Sequence, residues 1–72
     1  MPAATIYMPL LDEGTTVWRP VEAERLPDGS YLIIGEVPDE EQWEFQPGER
    51  VAVRQHVFSD GTRGMVADRK MN

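Results

Sequence analysis

Two strand-like segments joined by a short turn constrain this chain more than any other feature. The segments, TTVWRPVEAERL and SYLIIGEV, lie within residues 15–37 on either side of Leu26-Pro27-Asp28-Gly29-Ser30. Proline presets the first corner of this turn, aspartate caps it through its side chain, and glycine takes the position with positive φ. The pattern predicts a β-hairpin and favours a β-rich fold.

The length of the chain limits it to one small domain. Its 72 residues bury a lower fraction of their surface than a larger domain would. Small domains often add disulfides, a metal or a partner, but this chain has no cysteine and His56 is its only histidine. Disulfides are therefore excluded, and we expect no metal and no cofactor. One expectation is therefore that the domain associates with a partner protein or with a second copy of itself. The alternative is a well-packed barrel that is stable alone.

Charge is unevenly distributed along the chain. Residues 1–49 carry eleven acidic side chains against two arginines, whereas residues 50–72 carry five basic against two acidic ones, for a net charge of −6. A net-acidic chain repels phosphate backbones, so direct nucleic-acid binding is disfavoured. No apolar run is long enough to span a bilayer, and the first residues do not form a signal peptide. The expected location is the cytoplasm, without membrane contact.

Turn signals divide the chain into short strands. Three of them combine aspartate, glycine and a hydroxyl side chain, at residues 12–15, 28–30 and 59–62. The segments between turns predict strands at residues 5–8, 15–25, 31–34, 43–45, 50–58 and 65–67. Five or six such strands predict an all-β fold, a small, strongly bent antiparallel barrel of SH3-like kind, with at most one short helical turn in residues 37–42. The domain is expected to cover residues 5–67, with flexible termini at 1–4 and 68–72.

Side-chain periodicity predicts which residues face the core. Residues 31–34 form the only apolar run without alternation, so Ile33 and Ile34 are both expected in a central strand. Pro20 interrupts the second strand, which predicts a bulge or a sheet edge there. Trp43 and Phe45 are expected to face inward while Glu44 faces water. In the next strand, Val51, Val53 and Val57 are expected on the core face and Arg54 and His56 on the exposed face.

The segment PLLDEGTTVWRPVEAE, residues 9–24, and the segment EEQWEFQPGERV, residues 40–51, resemble a group of short bacterial proteins of unknown function. The resemblance covers roughly residues 6–53, and its most specific part is the Gly-Thr-x-Val-Trp-Arg-Pro-Val core at residues 14–21. It implies no activity. The pattern Phe-x-Pro-Gly-x-x-Val at residues 45–51 is also similar to the bacterial pattern that leads into a strand of an SH3-like barrel.

The tripeptide Trp18-Arg19-Pro20 is the first candidate site. Tryptophan and arginine are over-represented among interface hot spots, so Trp18 and Arg19 are candidate contacts for a protein partner. The structural alternative is that Trp18 closes one end of the barrel while Arg19 stacks on it or pairs with a nearby acid.

Residues 36–49 form the second candidate site, because they hold six acidic side chains and no basic one. Such a stretch attracts a basic partner or a divalent cation, although no EF-hand spacing is present, and the alternative is a solvated loop. The residues predicted to contact a partner, from both sites, are Trp18, Arg19, Glu36, Asp39, Glu40, Glu41, Trp43 and Glu44.

The aromatic side chains are a third candidate group. They could line a groove for proline-rich peptides or methylated basic side chains, or belong to an ordinary core, which is the preferred interpretation for Tyr31 and Phe45. The group comprises Tyr7, Trp18, Tyr31, Trp43, Phe45 and Phe58.

Catalytic patterns are missing from the sequence, which has no thiol, no second histidine and no Gly-x-Ser-x-Gly. We therefore expect a non-enzymatic protein-binding module, whose partner is a protein and, given the acidic stretch, a basic one. The first alternative is a homo-oligomer that pairs strand edges near Pro9 or Pro20. The second is an acidic mimic of nucleic acid that blocks a partner.

Overall fold

The computed structural model describes residues 3–71, which form five β-strands and no helix. The strands are β1 (Ala3–Pro9), β2 (Trp18–Arg25), β3 (Tyr31–Ile33), β4 (Arg50–Val57) and β5 (Arg63–Lys70). Each strand pairs with the next one along the chain, and β5 returns to β1, so the sheet closes into a barrel. This small all-β barrel, consistent with SH3-like architecture, confirms the predicted fold class.

The closing contact between β1 and β5 differs from the other junctions. The four sequential pairs of strands are antiparallel, whereas β1 and β5 run parallel and meet through the single residue pair Tyr7 and Val66. Five strands in up-and-down order place the first and the last in the same direction. The odd number of strands therefore makes one junction parallel in a barrel that the sequence predicted to be antiparallel.

The β2–β3 hairpin has the turn that its sequence predicts. The Leu26 N–H donates to the Ser30 carbonyl at 2.9 Å, and Gly29 has φ of 88°. The Asp28 carboxylate accepts from the Ser30 N–H at 2.9 Å and from the Ser30 hydroxyl at 2.5 Å. An aspartate at this position therefore holds the turn through its side chain, as expected for an Asx turn.

The β4–β5 hairpin repeats this arrangement. The Asp60 carboxylate accepts from the Thr62 N–H at 3.0 Å and from its hydroxyl at 2.7 Å, and Gly61 has φ of 89°. The Phe58 N–H donates to the Thr62 carbonyl at 2.8 Å. Two of the three turn signals thus form tight hairpins, whereas residues 12–15 belong to the longer connection from β1 to β2.

The two turn carboxylates make the fold sensitive to acid. The Ser30 hydroxyl, followed by the Ser30 N–H, holds the pKa of Asp28 below its ordinary value of 3.8. The Thr62 hydroxyl and N–H lower the pKa of Asp60 in the same way. Since both pKa values are lower in the folded chain than in the unfolded one, these groups stabilise the fold above about pH 3.8. That contribution is lost as pH falls through the folded values.

The urea midpoint of unfolding is therefore expected to fall on acidification from about pH 5 to about pH 3. The double variant Asp28→Asn/Asp60→Asn keeps acceptor oxygens in both turns but has no carboxyl to titrate there, so its midpoint should fall less than that of the parent. Asp12→Asn removes an acid outside both hairpins and is the control, which should follow the parent. Equal acid sensitivity of the double variant and the parent would contradict the assignment of this sensitivity to the Asp28 and Asp60 carboxylates.

The barrel interior is filled by alternate residues of the strands. Ile6 and Met8 of β1 are buried at alternate positions, and so are Val21 and Ala23 of β2. Among residues 3–71, the core cluster contains Ile6, Met8, Val21, Ala23, Ile33, Trp43, Phe45, Val51 and Ala67. Trp43 and Phe45 are buried and Glu44 is exposed, which confirms the inward and outward directions predicted for this segment.

Two apolar residues predicted in the core lie elsewhere. Ile33 is fully buried, but Ile34 is half-buried and lies beyond the end of β3, just before Gly35, whose φ of 99° turns the chain away. Val57 is 57% exposed because it ends β4 opposite Arg63, beyond the packed part of the barrel. The predictions of core positions for Ile34 and Val57 were therefore wrong, whereas Val51 and Val53 pack as expected.

Two strands, β1 and β5, extend further than their sequence patterns predicted. The strands predicted at residues 15–25, 31–34 and 50–58 are shorter, and the strand predicted at 43–45 is wrong, because that segment has only an isolated bridge between Trp43 and Leu10. Ala3 and Ala4 belong to β1, where they pair with Glu24 and Ala23. β5 continues to Lys70 after a register shift opposite residues 52 and 53. The expected loose ends at residues 3–4 and 68–70 are thus strand residues, and all of them except Asp68, which lies at the register shift, have a cross-strand partner. Residues 1, 2 and 72 lie outside the described part of the chain.

Proline at position 20 marks a sheet edge and no bulge. It pairs with Tyr7 in an uninterrupted β1–β2 register. On its other side β2 pairs with β3 only through residues 23–25. The missing N–H of Pro20 is tolerated because this part of β2 has one partner strand.

The helical turn expected in residues 37–42 is a single turn closed by the Glu41 N–H donating to the Pro38 carbonyl at 3.0 Å.

Candidate functional site

The connection between β3 and β4, residues 34–49, crosses one end of the barrel. The Leu11 N–H donates to the Gln42 carbonyl at 2.7 Å, and the Glu44 N–H donates to the Pro9 carbonyl at 3.1 Å. These bonds tie the connection to the end of β1, while Trp43 and Phe45 insert their rings into the core. The loop is therefore fixed to the barrel, with four of its six acidic side chains exposed.

Four acids of this loop share the same environment. Their side chains are exposed, and within residues 3–71 their carboxylates form no ion pair and no hydrogen bond. They are Glu36, Asp39, Glu40 and Glu44. Carboxylates grouped in this way produce a negative potential that attracts cationic groups. This set, called the acidic loop below, comprises four of the eight residues predicted to contact a partner.

Glu41 has a different role from its neighbours. Its Oε1 accepts from the Trp43 indole Nε1–H at 3.0 Å and lies 3.2 Å from the Arg19 Nε. Arg19 thus pairs with an acid, as the structural alternative for this residue predicted. Trp43 is only 4% exposed and its ring belongs to the core, whereas its contact with a partner stays a prediction. Glu41 and Trp43 hold the loop in place.

Replacing Glu41 with alanine is expected to lower the free energy of unfolding by about 1–3 kcal/mol, because the buried Trp43 N–H loses its acceptor. Glu41→Gln keeps an acceptor oxygen, and since Arg19 is well exposed, loss of its ion pair should cost less than about 1 kcal/mol. Urea unfolding measures both changes, and hydrogen exchange of the Trp43 indole N–H localises them. Equal destabilisation by the two variants would contradict a role as hydrogen-bond acceptor.

Trp18 is half-buried between two open cavities on the barrel surface. The first has a volume of about 530 Å³ and is lined by Trp18 and Glu44 together with Arg54, among others. Arg54 Nε lies 3.3 Å from Asp68 Oδ1, so its charge is partly compensated. The structure therefore brings two predicted contact residues, Trp18 and Glu44, to one cavity, with charges of both signs around it.

The second cavity beside Trp18 is aromatic. It has a volume of about 380 Å³ and is lined by Tyr7, Trp18, Phe58, Ser59, Asp60 and Thr62. The Phe58 ring centroid lies 4.9 Å from that of Tyr7 and 6.2 Å from that of Trp18. Of the six aromatic residues considered in the sequence, these three form a surface group, whereas Trp43 and Phe45 are core residues and Tyr31 packs against the core.

Sequence reasoning missed the place of His56 in this surface group. Its ring centroid lies 5.1 Å from that of Trp18 and 5.0 Å from that of Phe58, and it is half-buried where an exposed position was expected. Its cross-strand partner is Gly64. A Cβ at Gly64 would lie 2.7 Å from Tyr7 Cε2 and 3.0 Å from Phe58 Cε2, so the glycine lets both rings lie against the strand. A glycine inside a strand was the available signal for such close approach.

Val66 lies beneath this surface group. It is fully buried but does not belong to the core cluster inside the barrel. Its register partners are Tyr7 in β1 and Arg54 in β4, and paired residues point to the same face of a sheet. The aromatic group therefore covers a small second apolar centre on the outer face of the barrel.

Within residues 3–71 no group of three or more acidic or histidine side chains is arranged to hold a metal ion. The same residues contain no helix that is long and apolar enough to cross a membrane. No protein-family model matches the chain, and neither a curated protein nor a solved structure gives a significant match to it.

Proposed function

We propose that this protein is a non-enzymatic binding module whose acidic loop and Trp18 contact a basic partner protein in the cytoplasm. The observation that carries the proposal is the set of four exposed carboxylates without an ion pair in the described chain, one of which, Glu44, shares a cavity with Trp18. No catalytic pattern competes with this interpretation in the sequence.

Two physical features favour association at this surface. The loop is anchored by Trp43, Phe45 and backbone hydrogen bonds to β1, so little ordering is required when a partner binds. Its grouped negative charges would accelerate encounter with a basic surface and exclude acidic proteins. Trp18 adds a large, partly exposed apolar side chain of the kind that contributes most to interface affinity.

Capture experiments with two matched triple variants test the proposal. The loop variant carries Glu36→Gln, Asp39→Asn and Glu40→Gln; the control variant carries Asp12→Asn, Glu22→Gln and Glu24→Gln. Each removes three acids from a chain of net charge −6, so only the position of the lost charge differs. The tagged proteins are incubated with lysate of the source cells, washed at low and high salt, and the retained proteins are identified by mass.

The expected result is a basic protein that the parent and the control variant retain at low salt and that the loop variant loses. High salt should release it, because exposed charges are screened at high ionic strength. Titration of that protein onto Trp18→Ala then measures the contribution of the indole. Equal retention by the loop and control variants would overturn the placement of the interface. Displacement of the captured protein by DNA would favour the nucleic-acid mimic instead.

A second candidate function, self-assembly, is favoured by one observation. Val57 is 57% exposed and Met65 is 38% exposed, and they are diagonal neighbours on the β4–β5 hairpin. Adjacent exposed apolar side chains at one end of a barrel are suitable for contact with a second copy. Sedimentation at high micromolar concentration tests this function. A dimer that Val57→Lys dissociates would support it, and a monomer would exclude it.

A further inference from the structure

The aromatic cavity beside Trp18 has a second property, independent of the acidic loop. Three of its six lining residues are aromatic, and a fourth is a carboxylate, Asp60. The planes of Tyr7 and Trp18 are inclined by 62° and 73° to that of Phe58. All three residues are half-buried, so none of them is enclosed in the core. Three rings of different inclination therefore line one cavity, and the π-system of an aromatic ring carries a negative face.

The carboxylate of Asp60 adds a fixed negative charge. Thr62 holds it through the N–H at 3.0 Å and the hydroxyl at 2.7 Å. The same hydrogen bonds keep the pKa of Asp60 below its ordinary value, so the group is ionised at neutral pH. A cation in this cavity would therefore contact aromatic rings and one carboxylate that Thr62 already holds in position.

We infer that this cavity binds a methylated ammonium group, in particular the head of a trimethylated lysine of a partner protein. Aromatic rings attract cations through their quadrupoles, and quaternary ammonium groups combine a charge with apolar surface that aromatic walls can contact. An unmodified ammonium is strongly hydrated and has three donors to satisfy, which favours water over such walls. A protein source is favoured over a lipid headgroup because the net charge of −6 repels anionic membrane surfaces.

The first experiment tests the chemistry with small probes. Choline and its neutral isostere 3,3-dimethylbutan-1-ol are titrated separately at constant ionic strength while the two indole N–H signals are followed by NMR. Trp18 lines the cavity, and Trp43 is a core residue that serves as internal control. The expected result is a shift of the Trp18 signal alone, with choline binding about 3- to 30-fold more tightly than the alcohol. Equal affinities, or no shift of the Trp18 signal, would overturn the inference.

Side-chain variants show whether the rings and the carboxylate cause the binding. Phe58→Leu keeps apolar volume but removes one ring, and Asp60→Asn keeps an acceptor for Thr62 but removes the charge. Each should weaken choline binding about 3-fold or more. Tyr31→Leu removes a half-buried ring that does not line the cavity and should bind choline as the parent does. If Tyr31→Leu loses binding as much as Phe58→Leu does, the loss reflects general destabilisation and the assignment is overturned.

The source of the ammonium group is tested with larger probes. A peptide containing trimethyllysine should bind more tightly than the same peptide with unmodified lysine, and vesicles of phosphatidylcholine mixed with an anionic phospholipid should not bind. Binding to the vesicles without binding to the methylated peptide would overturn the protein source. These measurements use defined probes, so they do not depend on whether the acidic loop retains a partner in the capture experiment.

Discussion

Replacing Ile33 with alanine is expected to lower the free energy of unfolding by about 2–5 kcal/mol. Ile33 is fully buried in β3 and belongs to the core cluster. The substitution leaves its backbone hydrogen bonds to Gly48 and Glu49 in place and removes only side-chain packing. Since native proteins have a total stability of about 5–15 kcal/mol, the loss is a large fraction of the whole. Urea unfolding at neutral pH measures it.

The neighbouring substitution Ile34→Ala is the matched control. It removes the same atoms from a half-buried side chain beyond the end of the strand. Because the atoms lost there are already partly hydrated, the cost should be roughly half that of Ile33→Ala or less. A larger loss for Ile34→Ala than for Ile33→Ala would show that the barrel core is misplaced by one residue.

Gly64→Ala is expected to lower the free energy of unfolding by about 1–3 kcal/mol, although a glycine within a strand is ordinarily improved by alanine. The new Cβ would lie 2.7 Å from Tyr7 Cε2 and 3.0 Å from Phe58 Cε2. Both rings would have to leave the strand surface, which also disturbs their contact at a centroid distance of 4.9 Å. Urea unfolding measures the cost, and ring proton shifts of Tyr7 and Phe58 report the displacement.

Gly14→Ala provides the control for that substitution. A Cβ at Gly14 meets no atom within 4 Å, and its φ is not in the left-handed region. Alanine there should be neutral or should stabilise the fold by up to about 1 kcal/mol, because it lowers the conformational entropy of the unfolded chain. If both alanine variants change the stability by the same amount, the proposed clash at Gly64 is not the cause.

Local chemistry in the turns is the part of this fold that sequence reasoning predicts well. The pairs Asp28-Gly29 and Asp60-Gly61 each combine a side-chain acceptor with a residue that tolerates positive φ. Both properties belong to the residues themselves, so the turns and the antiparallel strand pairs beside them follow directly. Alternation predicted Trp43 and Phe45 inside and Glu44 outside for the same reason.

Predictions failed where the path of the whole barrel decides the environment. Val57 has the alternation of a core residue, but β4 extends past the packed interior at that point. Ile34 continues an apolar run, yet the backbone leaves the sheet at Gly35. Local periodicity does not show where the packed interior of the barrel ends, because those ends depend on where the other strands stop.

Of the candidate sites, one was predictable from the sequence and the other depends on the fold. The acidic loop was evident from composition, since six acids occur between residues 36 and 49 without a base. The aromatic cavity depends on contacts among β1, β2 and the β4–β5 turn, which are far apart in sequence. His56 joined that group only because β4 places it opposite Gly64. Such long-range juxtaposition is not readable from one sequence.

The parallel closure of the barrel also determines how the domain would respond to tension. Ala3 lies four residues before Tyr7, and Lys70 lies four residues after Val66, so these positions are at opposite ends of the closing pair. At roughly 3.3 Å per residue, they are separated by about 26 Å of extended strand. A mechanical load applied through Ala3 and Lys70 would therefore slide β1 along β5 in shear, instead of peeling one strand from the other residue by residue.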